Sequence, residues 1–398
     1  MSELGPKERV WSIAFSKLCL DFSADLSFRR AACLLNTVFH RPTEDALKVR
    51  TLADFVERTG TGIQGYLLAV SSAVLEDGRF ETKAAQTEGA AEAAEAFGTE
   101  NGPALSAEQK LWEDKVAEKV AEINAQRKPS EQIGRLEDLP KMESSKDRCC
   151  YISIDDIGVK HQKETRAGNN TRSAKYVENT VVHIQSGEGS YCLTAPSMDS
   201  AFQILVAFLL SNGLMRKDSL VFLADGARDI KCHIEKYFSF RPYVLILDWY
   251  HLKKKCKELI SSSVKGTIEE KRGHVQDLLR MLWVGNVKGA LSYLEALDGS
   301  QVKSAYWLGE LTGYLQRKEG QIACYALRHE LGFRVSSNRV EKANDLLVAQ
   351  RQKHNGMSWS FEGSSSLASI TMVMQNGEMD QWLRTRSLPF SMPEKVAA

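Results

Sequence analysis

The sequence predicts an α/β fold with one helical unit ahead of it and another set inside it, and three observations carry that prediction. Three short apolar runs each end in aspartate: Tyr151 to Ile154 at Asp155-Asp156, the VFLA run at Asp225-Gly226, and Tyr243 to Leu247 at Asp248. An amphipathic stretch, Ala227 to Phe238, follows the second run as a crossover helix would. A long helical pattern, Leu252 to Leu315, then separates these runs from a last basic helix.

Composition bounds the rest. A chain of 398 residues has room for two or three domains, and 43% hydrophobic with 26% charged residues is ordinary for a globular protein. The net charge is only +1, so an acidic partner has to be met by local basic patches. No stretch approaches a membrane-spanning length, and Met1 to Val10 lacks the apolar core of a signal peptide. The eight cysteines form no C-x-x-C pair, which disfavours a zinc knuckle and suggests free thiols in a reducing cytosol.

In chain order, residues 1–80 read as a helical unit. Ser27 to His40 has apolar residues at helical spacing after a good cap, and Thr51 to Gly60 opens on Thr and closes on Gly. Two helices around RPTEDALKVR suggest a helix-turn-helix, a motif that presents its second helix to the major groove; a plain packing unit is the alternative. Arg29 and Arg30, with Arg41, Lys48, Arg50 and Arg58, favour phosphate contact. Residues 81–147 form an acidic Ala/Glu-rich linker and spacer helix, with eight acidic and two basic residues from Glu81 to Asp114 and a boundary near Ser145.

Residues 148–251 bring alternation back. Cys150 to Ile157, Tyr176 to Gln185 and Ser190 to Ala195 read as strands, the last two joined at Ser186-Gly187-Glu188-Gly189. Met198 to Asn212 is an apolar helix, and the strand into Asp225, its helix, the strand into Asp248 and a further helix follow. The order βββαβαβα is that of the ribonuclease H-like fold, whose first and fourth strands are neighbours. Asp155 and Asp225 are then expected side by side at one sheet edge, where open α/β sheets bind ligands.

Adjacent carboxylates can hold Mg²⁺, which prefers oxygen ligands. Two such ions stabilise the attacking and leaving oxygens of an in-line displacement at phosphorus. Glu341 is the best third carboxylate, early in an amphipathic helix with Asn338 as its expected cap. Its flanks are basic, with Arg328, Arg334, Arg339, Lys342, Arg351 and Lys353 against three acids from Arg328 to His354, which suits a polyanionic substrate. Taken alone, each aspartate also reads as a helix cap and Glu341 as a first-turn charge complementing the helix dipole.

Together the pieces YISIDDIGVK, VFLADGARDI, LILDWYHLKKK and SSNRVEKANDLLVAQRQKHNGMSW, with a trailing QNGEMDQWL, resemble DDE-type insertion-sequence transposases. The branch is the Mutator-like one, which carries an Asp- or Cys-x-x-His motif, and the likeness spans Cys150 to Leu383. It implies Asp155, Asp225 and Glu341 as the catalytic, metal-binding triad, with Asp248 and His251 as the Asp-x-x-His pair. Asp156 is the other candidate for the first ligand, because strand alternation does not decide which of the two carboxylates turns inward. His251 either orients a scissile phosphate or water, or anchors the insertion; Tyr250 and Arg228 are weaker candidates. Residues 252–327 match the family's all-α insertion, and residues 328–398 the second part of the core. Lys253, Lys254 and Lys255 would contact DNA from the insertion, as would Lys257, Lys265, Lys271 and Arg272, while Arg339, Lys342, Arg351 and Lys353 would do so beside Glu341. Trp283 and Trp307, set among leucines, read first as core and second as platforms for an unpaired base.

The resemblance thus implies a transposase that binds transposon ends and target duplex, cuts, and joins by metal-dependent displacement with Mg²⁺, for which Mn²⁺ can substitute. No covalent protein–DNA intermediate is needed. A homodimer or larger synaptic assembly in the cytoplasm, associated with the nucleoid, is the corresponding expectation. A nuclease or resolvase of the same fold, or a domesticated DNA-binding protein with a vestigial acidic site, are the rival readings. A two-carboxylate glycosidase is disfavoured by the ring of Lys and Arg and the shortage of sugar-stacking aromatics.

Overall fold

The computed structural model of the chain describes residues 11–77, 103–134, 148–162, 175–353 and 357–393. Most of the acidic linker and the expected boundary near Ser145 lie outside the described residues. Helices α1 (Ile13–Asp25), α2 (Phe28–Val38), α3 (Val49–Asp77) and α4 (Pro103–Ala125) precede the sheet. Ser12 and Ser27 cap α1 and α2, each accepting an amide hydrogen bond three residues on and so satisfying one orphan donor of the first turn.

The helix expected to close at Gly60 instead continues to Asp77. Gly60 lies in mid-helix because a Cβ there would fall 2.3 Å from the Ser366 carbonyl oxygen, so only glycine allows the close crossing with α13 (Phe361–Gln375). Thr61 and Gln64 bond Ser366 and Ser369 across that crossing, at 3.3 and 3.1 Å. The buried residues of α1 to α3 accordingly belong to the same apolar cluster as one face of the sheet.

Five strands form that sheet: β1 (Cys149–Lys160), β2 (Tyr176–Ser186), β3 (Gly189–Ala195), β4 (Ser219–Ala224) and β5 (Val244–Leu247). Their order is β3-β2-β1-β4-β5, with β1 antiparallel to β2 and parallel to β4, and β4 parallel to β5. The hairpin turn lies where the glycines suggested, with Ser186 paired to Gly189 and Gly187 at φ +57°. Helices α5 (Met198–Ser211) and α6 (Arg228–Phe238) carry the chain between strands. One sheet face, with Cys150, Ile152 and Phe222, packs in the first cluster; the other, with Tyr151, Val221 and Leu223, packs against the helices after β5.

From Trp249 to Glu330 the chain is helical: α7 (Trp249–Ser263), α8 (Ile268–Trp283), α9 (Val287–Glu295), α10 (Ala305–Lys318) and α11 (Tyr325–Glu330). A reciprocal Thr267 and Glu270 capping box starts α8. The helix bearing Glu341 is interrupted, running as α12 (Asn338–Asn344), a π-helical turn over Asp345–Ala349 and a last turn at Gln350–Gln352. Such π turns re-aim side chains part-way along a helix. The last helix is α14 (Met379–Thr385). The mixed α/β architecture thus places a five-stranded sheet between helices. No helix among the described residues is long and apolar enough to cross a membrane, and the eight cysteines are free thiols.

Candidate carboxylate–histidine site

Register brings the carboxylates together. The parallel pairing of β1 with β4 runs from Cys149 opposite Ser219 to Ser153 opposite Leu223, and the same register carried two residues further sets Asp155 level with Asp225. Asp155 does not end its strand, as the sequence suggested, because β1 stays paired with β2 as far as Lys160. It sits where β1 outruns the end of β4, so an apolar strand delivers a carboxylate to the sheet edge without leaving the ladder.

Alternation along β1 turns Asp155 and Asp156 to opposite faces. Asp155 Oδ2 accepts a bond from Asn344 Nδ2 at 2.7 Å, while Asp156 Oδ1 accepts one from Thr180 Oγ1 at 2.5 Å. Burial, then the facing Asp225 carboxylate, pushes the Asp155 carboxyl up to about 6, against a lowering pull from His251. Burial likewise raises Asp156, whose charged neighbours include Glu178 and Asp229. Asn344 was not singled out in the sequence. Its spacing of three from Glu341 on one helical face is the signal that it carries.

Asp225 closes the turn into α6, its Oδ1 accepting the Ala227 amide at 2.7 Å. Gly226 at φ +90° makes that turn, with Leu247 Cδ1 only 2.7 Å from where a Cβ would sit. Lys318, also missed in the sequence, reaches in from α10 to donate to the Gly226 carbonyl at 2.7 Å. Burial lowers its pKa, with Lys231 adding to the effect and Asp225 opposing it.

Asp248 is fully buried, and donors surround both of its oxygens. Oδ1 accepts the His251 amide at 2.8 Å and lies 3.2 Å from His251 Nδ1; Oδ2 accepts the Ser337 amide at 2.6 Å and the Ser337 hydroxyl at 3.0 Å. Burial alone would raise this carboxyl, yet the bonds from His251 and Ser337 together hold it below the ordinary range. Ser337 occupies the cap position of α12 without a side-chain cap bond of its own, so Asp248, itself the cap residue ahead of α7, reaches across to hold that helix start; Asn338, the expected cap, lies inside the helix.

His251 Nδ1 is also 3.9 Å from Glu341 Oε1. The hydrogen bond to Asp248 raises its pKa, burial works against this, and the charges of Asp248, Asp225 and Glu341 add to the rise. Asp248, His251 and Glu341 can each offer an atom such that all three lie within 4.8 Å of one another. Tyr250 and Arg228 are exposed at the starts of α7 and α6.

Of the basic residues expected to meet phosphate, Arg29, Arg30, Lys253, Lys254, Lys255, Arg339, Lys342 and Lys353 are exposed. Arg351 is not part of that surface: it is 2% exposed, its Nε donates to the Ser23 carbonyl at 2.9 Å, and its guanidinium lies over the Phe28 and Trp359 rings. The helical period put Arg351 beside surface lysines, but the π turn and the packing of α1 and α2 enclosed it.

A mixed α/β protein with a carboxylate–histidine cluster at the carboxyl edge of its parallel strands is the class that fold and site define. No protein-family model matches the chain, and no curated protein is similar to it. Among solved structures, a chain of the Drosophila P element transposase strand transfer complex aligns over 64% of this chain and 68% of that one, at 11% identity and a TM-score of 0.21, a likeness too slight to bear on fold or function.

Proposed function

We propose that the chain is a DNA transposase of the DDE type. Its core would be a ribonuclease H-like fold formed by residues 148–251 and 328–398, interrupted by a helical insertion at 252–327 and preceded by a helix-turn-helix-like unit at 1–80. The observation that carries the reading is the level placement of Asp155 and Asp225, with the helix of Glu341 bonded to Asp155 through Asn344. The motif resemblance to insertion-sequence transposases supports it from the sequence side.

The donor set fits a hard divalent ion. Asp155, Asp225 and Glu341 offer only oxygen, and the buried Asn344 Oδ1 beside them has no hydrogen-bond partner among the described residues. Asp248 is less suited to metal, because each of its oxygens already faces two donors. We assign it as the anchor that orients His251 and the start of α12. When bound, Mg²⁺ or Mn²⁺ would supply the positive charge that stabilises attacking and leaving oxygens at phosphorus.

The protein's own part is positioning and charge. Asp155 and Asp225 would hold ions against the scissile phosphate, and Glu341 would complete the oxygen set. His251, whose pKa is raised by its bond to Asp248 and by the charges of Asp248, Asp225 and Glu341, would face a phosphate oxygen. Exposed Lys253, Lys254, Lys255, Arg339 and Lys342 would hold the flanking backbone of transposon-end and target DNA, and pairing of two ends would require a dimer or larger assembly, in the cytoplasm and on the nucleoid. Neither oxygen nucleophile in cutting or joining is a protein side chain.

The test is Mg²⁺- or Mn²⁺-dependent cleavage and strand transfer on DNA carrying the ends of the encoding element, comparing wild type with Asp225→Asn and Glu341→Gln. Both activities in wild type, and neither in variants that still bind DNA, are expected. Cleavage without joining would replace the transposase by a nuclease of the same chemistry. DNA binding with no metal-dependent chemistry in wild type would leave only a DNA-binding protein.

A further inference from the structure

One peptide unit, that between Gly226 and Ala227, is gripped at both ends. Its N–H donates to Asp225 Oδ1 at 2.7 Å, and its carbonyl accepts from Lys318 Nζ at 2.7 Å. Lys318 is the last residue of α10, 92 residues further along the chain, so the helical region sends one side chain back to the turn that carries the second carboxylate. The base of that reach is fixed. Leu311 and Leu315 bury α10 in the same cluster as Leu252 and Cys256 of α7, and the Ile322 amide donates to the Lys318 carbonyl at 3.0 Å where the helix tightens into its closing turn. The stem passes against the turn, with Lys318 Cε 3.3 Å from where a Cβ on Gly226 would sit.

We infer that Lys318 is a positioning residue for Asp225, supplied to the carboxylate site by the helical region and acting through the peptide between Gly226 and Ala227. Its surroundings do not hold it there for stability: it is half-buried, it forms no ion pair among the described residues, and the charges of Lys231 and Arg317 work against it. Ionisable groups kept against such a cost concentrate at functional sites. An ammonium on the carbonyl polarises the peptide and strengthens the bond that its N–H makes to Asp225, because hydrogen bonds in a chain reinforce one another. Oδ1 is thereby pinned, which would leave the second oxygen of Asp225 for an ion. Direct repulsion between the ammonium and that ion is the weaker effect, since a whole peptide unit lies between them and charges at a part-exposed site are screened. Orientation therefore decides, and loss of Lys318 should weaken the hold on the ion. That role rests on the carboxylate site proposed above, and it makes the helical region a contributor to the site itself.

The test titrates Mg²⁺ alone into the full chain at pH 8 by calorimetry, with no DNA present. Lys318→Met should raise the Mg²⁺ dissociation constant about fivefold, the scale of one lost hydrogen bond, while the melting temperature and the DNA affinity in EDTA stay at wild type. Lys318→Arg, which keeps both charge and donor, should restore most of the affinity. In an Asp225→Asn background Lys318→Met should have no further effect, because a residue that acts through Asp225 has nothing left to position; a merely structural lysine would add its loss in full. Lys318→Gln, too short to reach the carbonyl, repeats the series if the methionine variant does not fold. Unchanged Mg²⁺ affinity overturns the proposal, as does a loss of the same size in Lys318→Arg or an additive loss in Asp225→Asn. Tighter Mg²⁺ binding overturns it in favour of plain charge repulsion, and a fall in DNA affinity overturns it in favour of a phosphate contact. Cleavage by a protein whose Mg²⁺ affinity ignores Lys318 sinks this inference alone, and a coupled loss of Mg²⁺ in a protein that never cuts DNA sinks the transposase reading alone.

Discussion

Asp248 Oδ2 accepts both the amide and the hydroxyl of Ser337, at 2.6 and 3.0 Å, joining the end of β5 to the start of the helix that carries Glu341. The other oxygen of the same buried carboxylate holds the His251 amide and faces its ring. One side chain therefore fixes two of the groups on which the proposed chemistry depends, although nothing in its own environment leaves it free to react.

Replacing Asp248 by Asn puts an amide donor against groups that are themselves donors. The variant should lose about 3 kcal/mol of stability, the scale for breaking a buried charged network. Ser337→Ala, which removes only the hydroxyl bond, should lose about 1 kcal/mol. Because the Asp248 carboxyl is depressed in the folded state, its contribution is present above the ordinary value of 3.8 and is lost as pH falls through the lower folded value. Urea midpoints at pH 7 and pH 3 check both points, and equal stability of wild type and Asp248→Asn at pH 7 would remove Asp248 as the anchor.

Asp155 has the opposite linkage. Its carboxyl is raised from 3.8 to about 6, so the folded chain binds that proton more tightly than the unfolded chain does. Stability from this group is greatest below pH 3.8 and declines as pH rises, the penalty being complete above about 6. The decline is on the order of 2–3 kcal/mol. Asp155→Asn should flatten that part of the pH profile between 4 and 6.5, and an unchanged slope would show that Asp155 is not the group confronting Asp225.

A divalent ion held by the same carboxylates should relieve that repulsion. Mg²⁺ at a hundredfold excess over its dissociation constant should stabilise wild type by about 2.7 kcal/mol. Calorimetric melting at pH 8 with Mg²⁺ and with EDTA measures this without any DNA. Asp225→Asn should show a much smaller shift, and a shift of wild-type size in that variant would move the ion elsewhere.

Gly226→Ala should damage site and fold together. At φ +90° an alanine is strained, and its Cβ would meet Leu247 at 2.7 Å. A cost of about 1–3 kcal/mol is expected from the backbone, with displacement of Asp225 and of the Lys318 bond beside it. Thermal melting and the cleavage assay should both fall, whereas Lys318→Met should leave melting near wild type and lower cleavage.

The elements and their order were legible because their signals are local. Apolar runs and alternation placed four strands within two residues of their ends and β1 within three, Ser27 marked the start of α2 whereas Thr51 lies inside α3, and the glycines after Ser186 marked the hairpin. The helical pattern after Asp248 was equally plain, since leucines at helical spacing depend on nothing distant.

What the sequence by itself determined, then, was the α/β order of elements and the set of acidic and basic residues from which a site can be made. The tertiary structure alone decided which of those residues meet. β2 holds β1 in the ladder past Asp155 and so turns Asp155 and Asp156 to opposite faces; Gly60 is a crossing point and not a stop because α13 lies against it; Arg351 is enclosed because α1 and α2 cover it. Asp248 and Ser337, 89 residues apart, become partners only when β5 and α12 are packed. The physical reason is range: caps, turns and periodicity act over one or two helical turns, whereas a buried hydrogen bond between distant segments forms only after the core has brought them together.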